Sequence, residues 1–396
     1  MQYYNEPILE QWPALLARPT FDQRELMAKV RPIMEDVQRS GDDALRRYTQ
    51  QFDGLTLSAL TLNNSAPIAL APDLVAAIQQ AYDNIYAFHA AQQQDKLEVE
   101  TMPGVVCERR SVPIQRVGLY IPGGTAPLIS TTLMLGVPAQ IAGCSQTVLC
   151  TPANAEGGIH PAIRFAAQLC GIQTLVPVGG AQAIAALAYG TESVPQVDKI
   201  FGPGNQYVTA AKQLAALEGV AIDLPAGPSE VLVYADHTAD PAFVAADLLS
   251  QAEHGADSQV VLVTTQEQIA KTVQEAVDQQ LATLPRRELA AKALLHSRSI
   301  VLSDPQLALD FINAYAAEHL ILAITDAEAV ADKITQAGSV FLGHYTPESV
   351  GDYASGTNHT LPTNGYARAY SGVSLDAFVK KITFQRLTQN GLQALG

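Results

Sequence analysis

The feature that most constrains the fold is a regular alternation of strand-like and helix-like segments. Between residues 104 and 236, apolar runs such as QTVLCTP and TLVPVGG alternate with helical segments such as HPAIRFAAQLCG. A second alternating block covers residues 241–343, with VVLVT, SIVLS and HLILAI as its strands. Strands that alternate with helices form mainly parallel sheets that helices cover. The sequence therefore predicts an α/β fold with two incomplete Rossmann-like parallel-sheet domains and helical N- and C-terminal arms.

Charge and composition narrow the classes of function. The net charge of −15 argues against non-specific binding to nucleic acid and against binding to an anionic membrane surface. The first residues, MQYYNEPILEQWPALL, have no basic segment ahead of an apolar core, and no apolar run is long enough to span a bilayer. The four cysteines show no CxxC spacing. We therefore expect reduced thiols and a cytoplasmic location.

The segment DLLSQAEHG carries the first candidate ligands. Asp240 and Pro241 are typical of a helix start, so a helix is predicted from Pro241 to about His254. Gln251 and His254 are three residues apart and would share a helical face. Amide oxygen and imidazole nitrogen are usable zinc ligands. The alternative is structural, because the helix dipole favours a histidine in a last turn and glutamine is an ordinary helix former.

A second candidate is the pair Glu318-His319, which stands between a predicted helix and the strand HLILAI. Adjacent carboxylate and imidazole groups supply two proton acceptors of different basicity, as a reaction with two proton-transfer stages requires. The alternative is a surface glutamate beside a histidine that caps the preceding helix.

The polar stretch 351–365, GDYASGTNHTLPTNG, contains Asp352 and His359. Asp352 is a candidate oxygen ligand to join Gln251 and His254, although aspartate in such a stretch also caps turns.

Glycine-containing loops follow several predicted strands, which is where sheets of this kind bind ligands. Gly202 and Gly204 begin such a loop, but Tyr207 stands where a GxGxxG fingerprint requires its third glycine. The loops by themselves therefore leave dinucleotide binding open.

Longer stretches of the sequence resemble the histidinol dehydrogenase family. The stretches that carry this resemblance are VGLYIPGGTAPL, VGGAQAIAALAYGTESVPQVDKIFGPGN, DLPAGPSEVL, SQAEHG, EHLIL, GSVFLG and ESVGDYASGTNHTLPT. They occur in the family's order, and with weaker flanking similarity they extend from about residue 45 to about residue 384. Matches of this length are far more specific than any single glycine loop.

The resemblance implies an NAD-dependent enzyme with one zinc ion per subunit. It would oxidise L-histidinol to L-histidine through an aldehyde, consume two NAD per turnover and complete histidine biosynthesis. Residues that match functional positions of the family fall into four groups: zinc ligands Gln251, His254 and Asp352; the catalytic pair Glu318 and His319; NAD contacts Tyr120, Gln182 and Asn205; and substrate contacts Ser229, Gln251, His254, His319, Asp352 and His359.

The resemblance also indicates a homodimer with a shared active site. In the family, a later glutamate contacts the substrate and a later histidine completes the zinc shell of the partner subunit. This sequence ends at Gly396, before positions that match them. We therefore expect weaker zinc binding. The alternatives to a fully active enzyme are a catalytically impaired family member and a zinc- and NAD-dependent dehydrogenase of another small alcohol.

The predicted domain boundaries follow from these assignments. Residues 1–22 form an N-terminal arm, and residues 373–396 form a C-terminal arm. Residues 23–109 and 230–372 form the α/β domain with the metal and acid–base residues. Residues 110–229 form the α/β domain on the NAD side.

Overall fold

The computed structural model describes residues 1–19, 23–123, 127–224 and 227–396. Residues 20–22, which belong to the predicted N-terminal arm, and residues 124–126, which belong to the stretch VGLYIPGGTAPL, lie outside the described residues.

The strands are numbered in chain order: Gln2–Asn5 (β1), Leu62–Asn63 (β2), Leu97–Met102 (β3), Val105–Pro113 (β4), Arg116–Tyr120 (β5), Gln146–Cys150 (β6), Thr174–Val176 (β7), Lys199–Phe201 (β8), Ala221–Ile222 (β9), Glu230–Ala235 (β10), Gln259–Thr264 (β11), Arg298–Val301 (β12), His319–Ala323 (β13), Ser339–Leu342 (β14) and Val379–Leu387 (β15).

The α-helices are numbered in the same way: Trp12–Leu15 (α1), Gln23–Asp53 (α2), Pro72–Ala90 (α3), Ile129–Ala142 (α4), Pro161–Leu169 (α5), Gly180–Tyr189 (α6), Gln206–Leu217 (α7), Pro241–Ala252 (α8), Glu267–Leu281 (α9), Arg287–Leu294 (α10), Pro305–Tyr315 (α11), Ala327–Ala331 (α12), Glu348–Tyr353 (α13) and Gln389–Leu395 (α14).

The chain divides into two compact units. Unit 1 comprises residues 1–27, 204–209 and 224–372, and unit 2 comprises residues 28–203, 210–223 and 373–396. The predicted α/β fold class with parallel sheets is confirmed. Residues 28–109 group with the β5–β9 region in unit 2 because β2 pairs with β7 and α3 packs against α4. The predicted domain boundaries stay a prediction.

Unit 1 contains a six-stranded parallel sheet in the order β1-β12-β11-β10-β13-β14. Successive side chains of a strand point to opposite faces of a sheet. Accordingly, Val231 and Val233 pack with α8, α9 and α10, whereas Leu232 and Tyr234 pack with α11. Burial on both faces explains why these strands are nearly continuous apolar runs.

Unit 2 contains a second six-stranded sheet in the order β2-β7-β6-β5-β8-β9, parallel except for the β2–β7 pair. It also contains a three-stranded antiparallel sheet in the order β15-β4-β3. The terminal arms, predicted to be helical, each contribute a strand: β1 pairs with β12, and β15 pairs with β4.

The four cysteines are free thiols. Within the described ranges, none of the helices combines the length and the apolar content that crossing a bilayer requires. The cytoplasmic location stays a prediction.

Candidate active site

Helix α8 positions Gln251. The helix begins as predicted, with the Asp240 carboxylate capping its first turn and Pro241 as its first residue. It ends at Ala252, where the predicted helix continued to about His254. Gln251 therefore lies buried in the last turn, whereas His254 lies beyond the helix and is exposed. The two side chains do not share a helical face in the way that the spacing suggested.

Helix α13 positions Asp352. The stretch predicted as a polar loop begins inside this helix, which carries Glu348 and Asp352 four residues apart and therefore on one face. Both side chains are buried. Glu348 was not among the predicted site residues. The signal that could have found it is its position four residues before a candidate ligand.

Strand β13 positions the Glu318-His319 pair at its amino end, next to the first residues of β10. Glu318 Oε2 accepts a hydrogen bond of 2.8 Å from the backbone nitrogen of Glu230. His319 Nδ1 lies 3.1 Å from the backbone oxygen of Glu230. A carbonyl oxygen can only accept, so Nδ1 carries a proton, and Nε2 is the proton-accepting nitrogen of the neutral ring.

These three elements bring four buried side chains together. Gln251 Nε2 donates to Glu348 Oε1 at 2.7 Å and lies 3.4 Å from His319 Nδ1. His319 Nε2 lies 3.3 Å from Asp352 Oδ1. One ligand atom each from His319, Glu348 and Asp352 lies within 4.8 Å of the others. The group is a candidate metal centre.

Three atoms of this group are buried without a well-formed hydrogen bond among the described residues: Gln251 Oε1, which has no partner, and His319 Nε2 and Asp352 Oδ1, which contact each other as an ion pair at 3.3 Å. Leaving a buried polar atom unpaired costs about 1–3 kcal/mol, so such atoms are rare unless they serve a ligand. An amide oxygen, an imidazole nitrogen and a carboxylate oxygen are all donors that zinc accepts. The residues therefore fit a divalent cation.

Burial and neighbouring charges shift the pKa values of the titratable side chains in this group. Burial opposes the charged form of His319, but attraction to Glu318 and Asp352 outweighs this and raises the pKa of His319 well above its ordinary value. Burial likewise opposes the charged form of Asp352, yet His319 keeps the pKa of Asp352 well below the usual range. Burial and the nearby Asp352 raise the pKa of Glu348 to about 9. The site concentrates negative charge at Asp352.

Three further predicted residues lie around these elements. Ser229 immediately precedes β10, and its Oγ lies 3.5 Å from His254 Nδ1. His254 thus contacts Ser229. His359 Nδ1 lies 3.0 Å from the backbone oxygen of Asp352, and burial lowers the pKa of His359. Of the predicted zinc ligands, Gln251 and Asp352 belong to the four-residue group, whereas His254 does not.

Two predicted NAD contacts belong to unit 2, where they lie at the carboxyl edge of its parallel sheet. Tyr120 ends β5, and its hydroxyl accepts a hydrogen bond of 3.0 Å from the backbone nitrogen of Gly180. Burial raises the pKa of Tyr120 to about 12. Gln182 is buried in the first turn of α6, and its Oε1 has no hydrogen-bond partner within the described residues. Gly202 has a φ of 123°, and a Cβ there would lie 2.0 Å from the Tyr120 carbonyl oxygen, so only glycine fits this close approach.

The third predicted NAD contact, Asn205, precedes α7 in unit 1. Its Oδ1 accepts hydrogen bonds from the backbone nitrogens of Tyr207 and Val208, which makes Asn205 the N-cap of the helix.

A sequence model of histidinol dehydrogenase matches residues 16–396. The chain belongs to the histidinol dehydrogenase family. Histidinol dehydrogenase from Bacteroides thetaiotaomicron is 57% identical over 100% of this chain and 94% of its own length, and the one from Bacteroides fragilis is 54% identical over the same shares. The crystal structure of histidinol dehydrogenase from Elizabethkingia anophelis superimposes with a TM-score of 0.96 at 55% identity, over 100% of this chain and 92% of that one. The predicted family and the predicted function, an oxidoreductase of histidine biosynthesis, are confirmed.

In this histidinol dehydrogenase family member, a buried ion pair lies behind Glu318 and His319. Arg18 donates from Nε and Nη2 to the two carboxylate oxygens of Glu230, at 3.1 and 3.0 Å. The guanidinium also lies 3.6 Å from the ring centroid of Tyr315. Burial raises the pKa of Glu230, and Arg18 opposes this shift by stabilising the carboxylate. The pair therefore anchors the residue whose backbone holds both Glu318 and His319.

We expect Arg18→Met to lower the free energy of unfolding by about 3–5 kcal/mol, because it leaves the Glu230 charge buried without its partner. Urea denaturation followed by circular dichroism measures this loss. Arg39→Met is the matched control, since Arg39 pairs with Asp36 on the surface and exposed pairs contribute little. Equal shifts in the two variants would contradict the anchoring role of Arg18.

Proposed function

We propose that this chain oxidises L-histidinol to L-histidine through histidinal, with NAD as the hydride acceptor in both steps. One observation supports this most directly: two buried side-chain oxygens suited to a cation, from Gln251 and Asp352, lie beside the carboxylate–imidazole pair Glu318-His319. An alcohol oxidation that continues to an acid needs both substrate orientation and two proton acceptors.

Zinc, one ion per subunit, is the metal we propose. Gln251 would hold it through its unpartnered oxygen and Asp352 through the carboxylate oxygen beside His319, and His254 is the third ligand that the family resemblance implies. When bound, zinc would orient the substrate through its imidazole and amino nitrogens. Ser229 and His359 are the substrate contacts we propose beside the ligands and His319.

In the first step, His319 Nε2 accepts the hydroxyl proton of histidinol. A hydride passes from the carbon that bears this hydroxyl group to the nicotinamide of NAD. The products are the aldehyde, NADH and a proton. The Glu230 carbonyl keeps the Nδ1 proton in place, so the ring presents Nε2 throughout. A cation bound at Asp352 would share the charge of this carboxylate and weaken its stabilisation of the His319 imidazolium. The pKa of His319 would then fall, which favours the neutral ring that can accept a proton.

In the second step, Glu318 accepts a proton from the water that adds to the aldehyde. The hydrated aldehyde, from which Glu318 has taken one proton, then loses a hydride to NAD and a second proton to solvent, which gives the carboxylate of histidine and a second NADH. Glu318 suits this role because its Oε2 is fixed by the Glu230 backbone nitrogen, which leaves Oε1 to act as the base. Tyr120, Gln182 and Asn205 are the proposed NAD contacts, and the unpartnered Gln182 oxygen is an acceptor for a cofactor donor.

The decisive experiment measures histidinol-dependent NADH formation together with metal content. We expect two NADH per histidinol, loss of activity on removal of zinc by a chelator and recovery when zinc is restored. NADH formation with other small alcohols but not with histidinol would contradict the proposed substrate. Full activity after complete removal of metal would contradict the zinc site.

We expect Glu318→Gln to slow NADH formation from added L-histidinal by about 10²-fold or more, because the hydration step loses its base. The first hydride transfer from L-histidinol, followed in a single turnover by stopped-flow absorbance, should fall much less. Glu328→Gln, at an exposed glutamate in α12, is the matched control. Equal losses in the two half-reactions would count against Glu318 as the hydration base.

We also propose a homodimer with a shared active site. Apolar side chains on both outer strands of the β15-β4-β3 sheet are more than one-third exposed: Leu97, Val99, Ile382, Phe384 and Leu387. The pairing register places Leu97 and Val99 on the opposite face from Ile382 and Phe384. Apolar residues on both faces of a solvent-exposed sheet indicate that another chain covers them.

Light scattering after gel filtration tests the dimer. The unaltered chain should have twice the mass of one subunit, and the double variant Ile382→Asp/Phe384→Asp should shift to the mass of one, because buried charges oppose association. Leu217→Asp, at an exposed leucine at the end of α7, is the control and should stay dimeric. A monomeric unaltered chain would refute the proposal.

A further inference from the structure

Glu348 differs from the other members of the candidate metal centre because both of its oxygens are occupied. Oε1 accepts from Gln251 Nε2 at 2.7 Å, and Oε2 accepts from Ser250 Oγ at 2.7 Å. The neighbouring Gln251 Oε1 is buried without a hydrogen-bond partner among the described residues. Glu348 therefore holds the donating end of the Gln251 amide and leaves its accepting end unpaired.

We propose that Glu348 is the positioning residue of the metal centre, which turns the Gln251 amide so that its oxygen, rather than its nitrogen, faces the cation. This inference rests on the proposed zinc site. An amide has one accepting and one donating end, and a rotation by half a turn exchanges them. Only the oxygen can bind a cation, so a carboxyl oxygen that accepts from the NH₂ group selects the orientation that can bind metal.

Glu348 also ties the two ligand-bearing helices together. Its backbone nitrogen donates to Asp247 Oδ1 at 3.2 Å, while its side chain accepts from Ser250 and Gln251. Residues 247, 250 and 251 lie on one face of α8, since they are three and four positions apart. Glu348 therefore docks the first turn of α13 on the last turns of α8, and Asp352 follows one turn later on the same face of α13.

The alternative role for Glu348 is direct ligation, since its carboxylate belongs to the group whose ligand atoms lie within 4.8 Å. The two roles make different predictions. A ligand approaches zinc to about 2.0–2.2 Å, whereas a positioning residue keeps its hydrogen bonds to Gln251 and Ser250 when the metal is bound.

The test combines zinc affinity with the structure of the zinc-loaded chain. Zinc affinity is measured by competition with a chromophoric chelator for the unaltered chain, Glu348→Ala, Glu348→Gln and the control Glu328→Gln. We expect Glu348→Ala to bind zinc about 10–100-fold more weakly, as loss of an outer-shell partner does. Glu348→Gln should lose much less, because its amide can still accept from Gln251 Nε2 and donate to Ser250. The control should match the unaltered chain.

In the crystal structure of the zinc-loaded chain, Gln251 Oε1 should contact the metal while Gln251 Nε2 still donates to Glu348. A Glu348 oxygen within about 2.2 Å of zinc would overturn the positioning role in favour of ligation. Unchanged zinc affinity in Glu348→Ala, or equal losses in Glu348→Ala and Glu348→Gln, would overturn it too. Where Glu348→Ala does not fold, Glu348→Gln and the crystal structure decide. An unaltered chain that binds no zinc would refute the proposed function as well, whereas the other outcomes leave that function intact.

Discussion

The proposed acid–base pair, Glu318 and His319, depends on Glu230 at the start of β10. The backbone nitrogen of Glu230 fixes Glu318, and its carbonyl oxygen sets the proton on His319 Nδ1. The side chain of the same residue is a buried carboxylate, which is unfavourable unless it is paired. Arg18 supplies the pairing with two hydrogen bonds, and the backbone nitrogen of Asn364 adds a third at 2.7 Å. One residue thus links the stability of unit 1 to the geometry of its proton acceptors.

The candidate active site lies at the amino ends of two strands of the unit 1 sheet, β10 and β13. Open α/β sheets usually bind ligands beyond the carboxyl ends of their strands. Here Glu230 and His319 are the first residues of β10 and β13, so the proposed acid–base pair lies at the amino ends of these strands. Helix α8 follows the carboxyl end of β10 and runs antiparallel to the strand. Its last turn, with Gln251, therefore lies at the amino edge of the sheet. The candidate site lies at the amino edge because α8 ends there.

In the candidate metal centre, the metal-free fold leaves Gln251 Oε1 buried without a hydrogen-bond partner among the described residues, at a cost of about 1–3 kcal/mol. His319 Nε2 and Asp352 Oδ1 lie 3.3 Å apart as a buried ion pair. A bound cation would give Gln251 Oε1 a partner, so this cost would become part of the binding free energy. The hydrogen bond from Gln251 Nε2 to Glu348 keeps the amide from rotating toward a protein partner.

Local patterns in the sequence determined the parts of this protein that depend on near neighbours. The alternation of apolar strands and helices specified the α/β class, and Asp240-Pro241 specified the start of α8, because caps and periodicity act within one turn or one strand. The family resemblance indicated Gln251, His319 and Asp352, although it could not indicate which atoms would remain unpartnered. Tertiary structure alone decided that β15 pairs with β4, that residues 28–109 join the β5–β9 region, and that Glu348 orients Gln251 across 97 positions of sequence. These contacts join segments far apart in the chain, and no local preference records them, since they form only when complementary surfaces of the folded elements meet.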